Sequence, residues 1–380
     1  MSWEIKKLSE CCASIADGDH QAPPKADSGI PFVTISNINS TNQFDFTNTM
    51  FVPQAYYDSL DSKRKAQKGD VLYSVVGSFG IPVYMRETVP FVFQRHIAIL
   101  RPNDVILPQF LYYTMLSRDF YMMADAAALG AAQRTVSLTA LRNMKIAVPP
   151  MDVQKKIVDI LSAYDDLIAN NQKQIKLLEE AAQRLYKEWF VDLRFPGHEN
   201  TLSTDGVPQG WKRVTLGNIA PILTGKKDAN FGTEDGAYPF FTCSQEPIKA
   251  PSYSFDTSAV ILAGNGDFNV KLYRGRFEAY QRTYVLSPSE EKYLYLLYNA
   301  VNESMAALVK GASGSTIKFL TKGMVENIPL FVPTDKLLEQ YNCYSEAVQQ
   351  KLECLKKSIK IATEARDRLL PKLMSGELEV

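Results

Sequence analysis

The sequence contains few of the side chains that most often perform chemistry in enzymes. It has three histidines and five cysteines among 380 residues, and the cysteines form neither a C-x-x-C pair nor a zinc-site spacing. It also lacks a G-x-x-x-x-G-K-S/T phosphate loop, an H-E-x-x-H helix and a complete G-x-G-x-x-G turn after a strand. The Asn/Asp-Pro-Pro-Tyr/Phe signature of adenine methylation is missing as well. We therefore expect no catalytic residue, no metal site and reduced thiols in this chain.

Long apolar runs and an excess of one charge are also missing. No stretch approaches the ~18 apolar residues of a membrane-spanning helix. The first residues show no basic segment followed by an apolar run, so no signal peptide is expected and the predicted location is the cytoplasm. Lys and Arg number 42, as do Asp and Glu, so the net charge is zero. Any basic surface for nucleic acid must therefore be local.

The most informative feature that is present is an internal repeat. WEIKKLSECC begins at Trp3, and WKRVTLGNIA begins 208 residues later at Trp211. IPFVTIS matches YPFFTCS at the same shift, and DVLYSVVGSFGIPVY matches AVILAGNGDFNVKLY 189 residues later. LRNMKIAVPP matches MVENIPLFVPT at a shift of 184. Because the order of the matches is kept and the shift changes slowly, the chain is a duplication with deletions in its second copy.

Each copy ends in a segment with the spacing of a long helix. We predict the first helix from Asp152, as N-cap, to Phe190, about 58 Å at 1.5 Å per residue. Its apolar positions alternate at spacings of four and three, which is a heptad seam. In the first helix the seam comprises Ile157, Leu161, Tyr164, Ile168, Asn171, Ile175, Leu178, Ala182, Leu185 and Trp189. In the second it comprises, 184 residues later, Tyr341, Ser345, Val348, Leu352, Leu355, Ile359, Ala362, Arg366, Leu369 and Leu373. We expect the two seams to pack on each other; the alternative is that each packs on its own domain.

The segments before the helices mix strand-like runs, such as FVTIS, DVLYSVV, AVILAG and TYVLS, with short helical stretches such as PQFLYYTMLSRDFYMMADAAA. The predicted fold class is α/β (α+β): two mixed domains separated by two long antiparallel coiled-coil helices, with a pseudo-two-fold repeat. The predicted boundaries are 1–151 for the first mixed domain, 152–192 for the first helix, 193–210 for a linker, 211–333 for the second mixed domain and 334–380 for the second helix.

This layout resembles one protein family. The helix endings EAAQRLYKEWFVDLRFPGH and EARDRLLPKLMSGELEV, with the restart VPQGWKRVTLGNI, are similar to the specificity (S) subunit of Type I restriction–modification systems. The resemblance implies that each mixed domain reads one half of a split, asymmetric sequence in double-stranded DNA. It implies that the helix pair spaces these domains and docks two modification (methyltransferase) subunits and the restriction (helicase-nuclease) subunits. S-adenosylmethionine is then expected in the modification subunit, ATP and Mg in the restriction subunit, and no cofactor in this chain.

Two other classes of function remain open from the residues alone. One is a stand-alone sequence-specific DNA-binding regulator, which would need no partner subunits. The other is a coiled-coil scaffold that binds proteins and leaves no sequence-specific footprint on DNA.

Candidate DNA contacts are clustered most clearly in the second domain. Several cations follow one another within a dozen residues that also hold three aromatics, and two asparagines stand just before them. Arg can bridge guanine O6 and N7, and Asn or Gln can bridge adenine N6 and N7. A strand pair with a solvated basic face is the alternative. This cluster comprises Asn265, Asn269, Lys271, Arg274, Arg276 and Arg282.

Two further matches link the copies. Gln94-Arg95 aligns with Gln281-Arg282, which places Thr283 opposite His96; a structural ion pair would also explain the shared Gln-Arg. AAQRTVS (131–137) aligns with GASGSTIK (311–318), where small residues and a cation suit a phosphate. In the first domain the loop 15–25 and KRKAQK (63–68) carry charge, and KRKAQK is equally explained as a solvated turn. The remaining candidate DNA ligands are Lys25, Ser78, Arg134, Thr135, Lys226, Lys227, Thr316 and Lys318.

Overall fold

The computed structural model describes residues 3–39, 41–130, 133–314 and 317–380. The chain divides into two compact units. The first unit consists of residues 1–170 and 359–380, and the second unit of residues 171–358. Each unit therefore contains one mixed region and parts of both long helices. The first unit holds the amino-terminal half of the first long helix and the carboxyl-terminal part of the second. The second unit holds the remaining part of each helix.

The described residues of the first mixed region form nine strands and five short helices, and the first long helix follows them. The strands are β1 Glu4–Lys7, β2 Cys12–Asp17, β3 Ile30–Val33, β4 Met50–Val52, β5 Val71–Ser74, β6 Pro82–Tyr84, β7 Val92–Phe93, β8 Ile97–Pro102 and β9 Lys145–Val148. The helices are α1 Leu8–Cys11, α2 Gln54–Ser59, α3 Pro108–Leu116, α4 Arg118–Ala127, α5 Leu138–Asn143 and the long α6 Met151–Tyr186, which ends in a π-helical turn, Lys187–Val191.

The second mixed region repeats this plan with longer strands. Its strands are β10 Ser203–Thr204, β11 Val207–Pro208, β12 Lys212–Thr215, β13 Ile222–Thr224, β14 Tyr238–Phe241, β15 Ile248–Ala250, β16 Phe255–Ala263, β17 Val270–Ala279, β18 Thr283–Leu286 and β19 Pro329–Val332. Its helices are α7 Leu294–Gly311, α8 Lys322–Glu326 and the long α9 Asp335–Ser375.

The sheets show that the sequence repeat is also a repeat of strand pairing. The first unit has sheets ordered β2-β8-β5-β6 and β4-β3-β7, and the second has one sheet ordered β13-β18-β16-β17-β14-β15. In both units one strand pair runs parallel: β3 with β7, and β14 with the end of β17. A separate antiparallel pair closes each region, with Ile5 opposite Ala147 in one unit and Arg213 opposite Phe331 in the other. The predicted mixed fold and the internal repeat are confirmed.

The heptad seams are buried along their length. Every seam position of both helices is buried or half-buried in the structure. The first unit joins Ile157 and Leu161 of α6 and Leu373 of α9 in one core with side chains of α3, such as Phe110. In the second unit, Trp189 and Phe190 contact Tyr341 of α9, with ring centroids 5.9 and 4.7 Å apart. Within each unit the seams therefore pack both on the other helix and on the adjoining domain.

Within each unit the two helices run antiparallel. In the first unit Arg366 Nη1 lies 2.8 Å from Asp165 Oδ1. In the second unit Asn171 donates to Ser358 Oγ at 3.0 Å, while Trp189, farther along α6, lies against the earlier Tyr341.

Some boundaries differ from the sequence-based expectations. The first long helix begins at Met151, so Asp152 lies in its first turn, where its carboxylate still faces the positive end of the helix dipole. The stretch from Pro108 divides into α3 and α4 because Ser117 caps the second helix, accepting a bond from Phe120 N at 3.3 Å. The predicted linker holds the β10–β11 hairpin and is fixed by Phe195, whose ring centroid lies 4.6 Å from that of Trp211.

Burial of the seam predicts a difference between two leucines of α6. Leu161 is fully buried, whereas Leu167, six residues later, is 43% exposed. Leu161→Ala should lower the free energy of unfolding by about 2–5 kcal/mol, through lost burial and the cavity that remains. The matched control Leu167→Ala should change it by less than about 0.5 kcal/mol. Urea unfolding followed by circular dichroism measures both, and equal losses would contradict the assignment of Leu161 to the core.

Candidate nucleic-acid interface

Four segments of the first unit come together where β2, β5 and β7 end. Val75 N donates to His96 O at 2.8 Å, and Val136 N donates to Val75 O at 2.9 Å. Gly77 N donates to Arg134 O at 3.0 Å. We call residues 17–21, 75–80, 94–96, 129–130 and 133–137 the first loop cluster.

The second unit repeats the first two of these bonds. Gly264 N donates to Arg282 O at 2.8 Å, and Leu320 N donates to Gly264 O at 2.8 Å. Gln281 N donates to Lys227 O at 2.9 Å, which joins a further segment. We call residues 225–228, 242–246, 264–271, 280–282, 313–314 and 317–320 the second loop cluster. Because the backbone frame is the same, the two clusters differ mainly in the side chains that they present.

A closed loop in each cluster carries the small-residue motifs. Leu129 and Thr135 exchange two backbone hydrogen bonds of 2.9 and 2.8 Å, and Ser313 and Phe319 exchange two of 3.0 and 2.8 Å. Gly314 opens the second loop at φ +110°, and a Cβ there would stand 2.2 Å from Ile317 O. Only glycine fits this position without strain. Thr316, a predicted DNA ligand, lies outside the described residues.

The sequence alignment of Gln94-Arg95 with Gln281-Arg282 is wrong by one position in the structure. Ile97 N donates to Gln94 O at 3.1 Å, and the equivalent bond runs from Thr283 N to Tyr280 O at 2.8 Å. Likewise Arg95 N donates to Asp19 O at 3.1 Å, as Gln281 N does to Lys227 O at 2.9 Å. The backbone thus equates Gln94 with Tyr280, Arg95 with Gln281, and His96 with Arg282. A one-residue shift along an extended chain changes the face on which each side chain lies. The Gln-Arg residues that match in sequence therefore do not occupy equivalent positions in the structure.

In the first loop cluster, Arg95 is the cation most available to a ligand. Its side chain is exposed and forms no ion pair in the described part of the chain. It borders a groove of about 330 Å³ that Asp17, His96, Gln133 and Thr135 also line. Gln94, beside it, donates instead to the backbone, from Nε2 to Gln21 O at 3.2 Å.

The other first-unit candidates are less available or lie elsewhere. Arg134 forms a short ion pair with Asp125 and lies 5.5 Å over the ring of Phe79, so much of its charge is already neutralised. Ser78 is exposed in the turn between β5 and β6, where its carbonyl accepts from Ser74 Oγ at 3.0 Å. Lys25 is exposed beside β4, and no contact in the described ranges joins it to the first loop cluster.

In the second loop cluster the two asparagines and Lys271 hold one loop to another. Cys243 Sγ donates to Asn265 Oδ1 at 2.9 Å, and Asn269 Nδ2 donates to Cys243 O at 3.0 Å. Lys271 Nζ donates to Ser244 O at 2.8 Å and also to Asn269 Oδ1. Burial lowers the pKa of Lys271. These three side chains position the loop 242–246. Asn269 and Lys271 use their polar atoms mainly within this loop contact, whereas the Nδ2 donors of Asn265 bond no described residue.

Arg274, one of the candidate DNA contacts, is bonded within the second unit. Its Nη2 lies 3.1 Å from Glu346 Oε2 and its Nε lies 3.4 Å from Glu291 Oε1. Its guanidinium stands 5.3 Å over the ring of Tyr295, whose hydroxyl donates to Glu346 at 2.6 Å. The bond from Arg274, and then that from Tyr295, lower the pKa of Glu346 to about 2. The guanidinium therefore ties β17 to α9 within the second unit.

Arg276 is also committed to a partner. Its Nε lies 3.0 Å from Asp256 Oδ2 on the neighbouring strand, and its guanidinium lies 5.1 Å over the ring of Tyr253. Both features fit the alternative of a strand pair with a solvated basic face.

The cations that remain free in the second loop cluster are Lys226, Arg282 and Lys318, which are exposed and form no ion pair with any described residue. Lys227, next to Lys226, lies 4.3 Å over the ring of Phe231. Gln281, next to Arg282, donates from Nε2 to Asp228 Oδ1 at 2.8 Å.

Sequence reasoning missed one signal that both copies carry. A Cβ at Gly18 would stand 2.2 Å from Phe93 O, and one at Gly225 would stand 2.0 Å from Ala279 O. In both units the chain after β2 or β13 thus passes so close to another backbone that only glycine fits. A glycine recurring at corresponding places would have located the start of each loop cluster. Asp19, bonded by Tyr56 and by Arg64 at 3.3 Å, lies in the charged loop 15–25, but no sequence signal set it apart from the other residues of that loop.

No group of three or more His, Cys, Asp or Glu side chains suited to a metal ion occurs in the described ranges. None of the helices described has both the length and the apolar character that crossing a bilayer demands.

Comparison with known proteins gives a consistent result. The family model for the Type I restriction modification DNA specificity domain matches residues 2–180 and 208–352, which are the two copies of the repeat. The chain is 37% identical over 181 residues to the Type I restriction enzyme EcoDI specificity subunit of Escherichia coli, covering 47% of this chain and 40% of that relative. It is 25% identical over 307 residues to the Type I restriction enzyme MjaIX specificity subunit of Methanocaldococcus jannaschii, covering 73% of this chain and 71% of that relative.

A solved structure shares the fold. The Type-I restriction-modification system S subunit from M. genitalium superposes with a TM-score of 0.63 at 17% identity, covering 98% of this chain and 96% of that one.

The anchor at Glu346 predicts a pH-dependent contribution to stability. An unfolded glutamate titrates near 4.5, whereas the folded pKa is about 2. The contribution is therefore fully present above about pH 4.5 and is lost as the pH falls from there towards 2. Glu346→Gln should remove this dependence and, because the pair is partly exposed, cost only about 1 kcal/mol at pH 7. Urea unfolding between pH 2 and 7 measures it, with Glu339→Gln, exposed on the same helix, as the control. Parallel pH curves for wild type and Glu346→Gln would contradict the anchor.

Proposed function

Because the chain belongs to the family of Type I restriction–modification DNA specificity proteins, we propose that it reads a bipartite, asymmetric sequence in double-stranded DNA, one half with each loop cluster. The observation that carries this proposal is the pair of loop clusters. They share a backbone frame, since equivalent bonds run from Val75 N to His96 O and from Gly264 N to Arg282 O. They present different side chains, since the first offers Arg95 and the second offers Arg282 at neighbouring positions of that frame. Equal frames with unequal side chains suit two different half-sites.

The free cations indicate how each half could be read. Arg282 follows a chain reversal at the end of the sheet, and its exposed guanidinium can bridge O6 and N7 of a guanine. Lys318 sits in the closed loop, where it can neutralise a phosphate without reading sequence. The second loop cluster has three free cations, so we expect its half-site to contribute more of the salt-dependent affinity than the first.

The remaining parts of the proposal concern partners and chemistry. The chain supplies recognition, and two modification subunits using S-adenosylmethionine transfer the methyl groups. Restriction subunits using ATP and Mg translocate and cleave DNA, and the complex works in the cytoplasm. The helices α6 and α9 space the half-sites and dock the partners. Support comes from the names of the relatives and from the absence of catalytic motifs in the sequence.

The decisive experiment assembles the chain with the methyltransferase subunit of its own system and maps methylated bases by sequencing. The proposal expects one asymmetric motif in two parts separated by a fixed gap. The purified chain with S-adenosylmethionine alone should methylate nothing. A stand-alone regulator would not co-purify with the methyltransferase, and a protein scaffold would leave no sequence-specific footprint; either result overturns the proposal.

Two arginines of the second unit should separate DNA contacts from structural ones. Arg282→Ala should cost about 1–3 kcal/mol of binding to the cognate duplex, at one half-site only, because it removes a base contact. Arg276→Ala is the matched control, and since its guanidinium is held by Asp256 it should leave binding close to that of wild type. Fluorescence anisotropy with the assembled complex measures both.

Lys318→Ala should act differently from Arg282→Ala. It should weaken cognate and random DNA alike and reduce the slope of log K against log salt by about one unit. Equal losses for Arg276→Ala and Arg282→Ala, or an unchanged salt slope for Lys318→Ala, would show that the interface lies elsewhere.

A further inference from the structure

Among the described residues, one ion pair of the first unit joins the two long helices beside their seam. Arg366 Nη1 lies 2.8 Å from Asp165 Oδ1, and the two side chains are only 18% and 12% exposed. The other carboxylate oxygen of Asp165 accepts from Tyr113 Oη at 2.7 Å. Both oxygens are thus satisfied, which is the condition under which a shielded ion pair is tolerated.

The duplicated positions in the second unit carry no such pair. Asp165 corresponds to Gln349 and Arg366 corresponds to Ala182, each at a shift of 184. Ala182 and Gln349 line one cavity of about 280 Å³, together with seam residues such as Ser345 and Leu352. The second unit therefore has empty space at the point where the first unit has its ion pair.

This difference between the two units affects which helix can pack against each seam. The seams share a heptad register at a shift of 184, so apolar packing alone would let α6 pair with a second copy of α6 as readily as with α9. In such an exchanged pair Asp165 would face Ala182 of the other copy. The carboxylate would keep Tyr113 but lose its cation. Likewise, two copies of α9 would place Arg366 opposite Gln349.

We propose that the Asp165–Arg366 ion pair is a pairing-specificity element, which makes α6 accept α9 of its own chain and reject a second copy of itself. In the wrong pairing Asp165 loses the cation 2.8 Å away, and Arg366 keeps only Asp367 of its own helix, 2.8 Å from its Nη2. The lost pairing of a mostly buried carboxylate is a penalty that falls only on the wrong pairing. For α6, the other polar pair of the seam does not discriminate. Asn171 donates to Ser358 at 3.0 Å, but the residue corresponding to Ser358 in α6 is Gln174, which can also bond an amide.

If the chain reads DNA as proposed above, the Asp165–Arg366 ion pair also affects the symmetry of the DNA sequence that is read. Exchanged helices would join two first units or two second units and would present two identical loop clusters. A complex of this kind would read an inverted repeat of one half-site. Because Asp165 lies on α6 and Arg366 lies on α9, the ion pair favours the α6–α9 pairing, which combines the two different loop clusters.

The test measures helix exchange between full-length chains. Two differently tagged copies are unfolded together in urea and refolded, and the fraction of mixed dimers is followed against concentration. This gives a dissociation constant for exchange. Because the tether between the helices is the same in every variant, its effect cancels in the ratio of constants. No DNA is present, so failure of this proposal is distinguishable from failure of the proposed function.

The principal variant is Ala182→Arg with Gln349→Asp. It keeps the original ion pair and adds its duplicate in the cavity of the second unit, so each helix becomes complementary to its own copy. The dissociation constant for exchange should fall about tenfold or more relative to wild type. The matched control, Ala182→Leu with Gln349→Leu, fills the same space without charge and should exchange as wild type does.

A second variant keeps the proposal testable if the principal one does not refold. Arg366→Gln removes the advantage of the correct pairing without adding bulk, and it should also lower the dissociation constant for exchange about tenfold. Exchange constants equal to wild type for the charged variants would overturn the proposal. An equal fall in the leucine control would overturn it too, because volume and not charge would then decide the pairing.

Discussion

Burial of the seams on the two long helices is the constraint on which the rest of the structure depends. Each unit contains half of α6 and half of α9, and neither half covers its apolar stripe alone. In the first unit Leu161 and Leu373 share a core with the adjoining domain, and in the second Phe190 and Tyr341 do the same with theirs. The mixed regions are thus built onto the helix pair, and the loop clusters inherit their placement within each unit from it.

The loop clusters combine one duplicated backbone frame with two different sets of side chains. The backbone bonds that hold each cluster are equivalent, down to the glycines at 18 and 225 that permit close approach of the chain. The side chains have diverged: Asp19 in one cluster corresponds to Lys227 in the other. Backbone bonds keep the geometry while exposed residues are free to change, which is the property that a pair of DNA-reading surfaces requires.

The same division between frame and side chain holds in the seams. Apolar residues are repeated because both halves need burial, whereas the ion pair of Asp165 and Arg366 occurs once. A repeated apolar stripe gives stability without a choice of partner, and a single shielded charge pair adds that choice. Arg274 shows a related use of charge in the second unit, where Glu346 and Tyr295 engage it and hold strand to helix.

Residue order was enough to predict the duplication, the mixed fold class and the heptad register, because periodic burial leaves a direct trace in that order. The family followed from these and from the helix endings, and comparison confirmed it. For the candidate site, the sequence predicted that the loops 129–137 and 313–320 correspond, and the structure holds both with the same backbone bonds; the contacts of the individual side chains were not predictable. Arg274, Arg276 and Asn269 read as DNA ligands because a cation or amide in a strand looks the same whether or not a partner faces it. Three outcomes depend on tertiary structure. Arg274 forms an ion pair with Glu346, Gln94 and Gln281 do not occupy equivalent backbone positions, and Arg282 forms no ion pair with any described residue. Those outcomes depend on residues brought together from distant parts of the chain, and a side chain bonded within the fold is no longer available to a ligand.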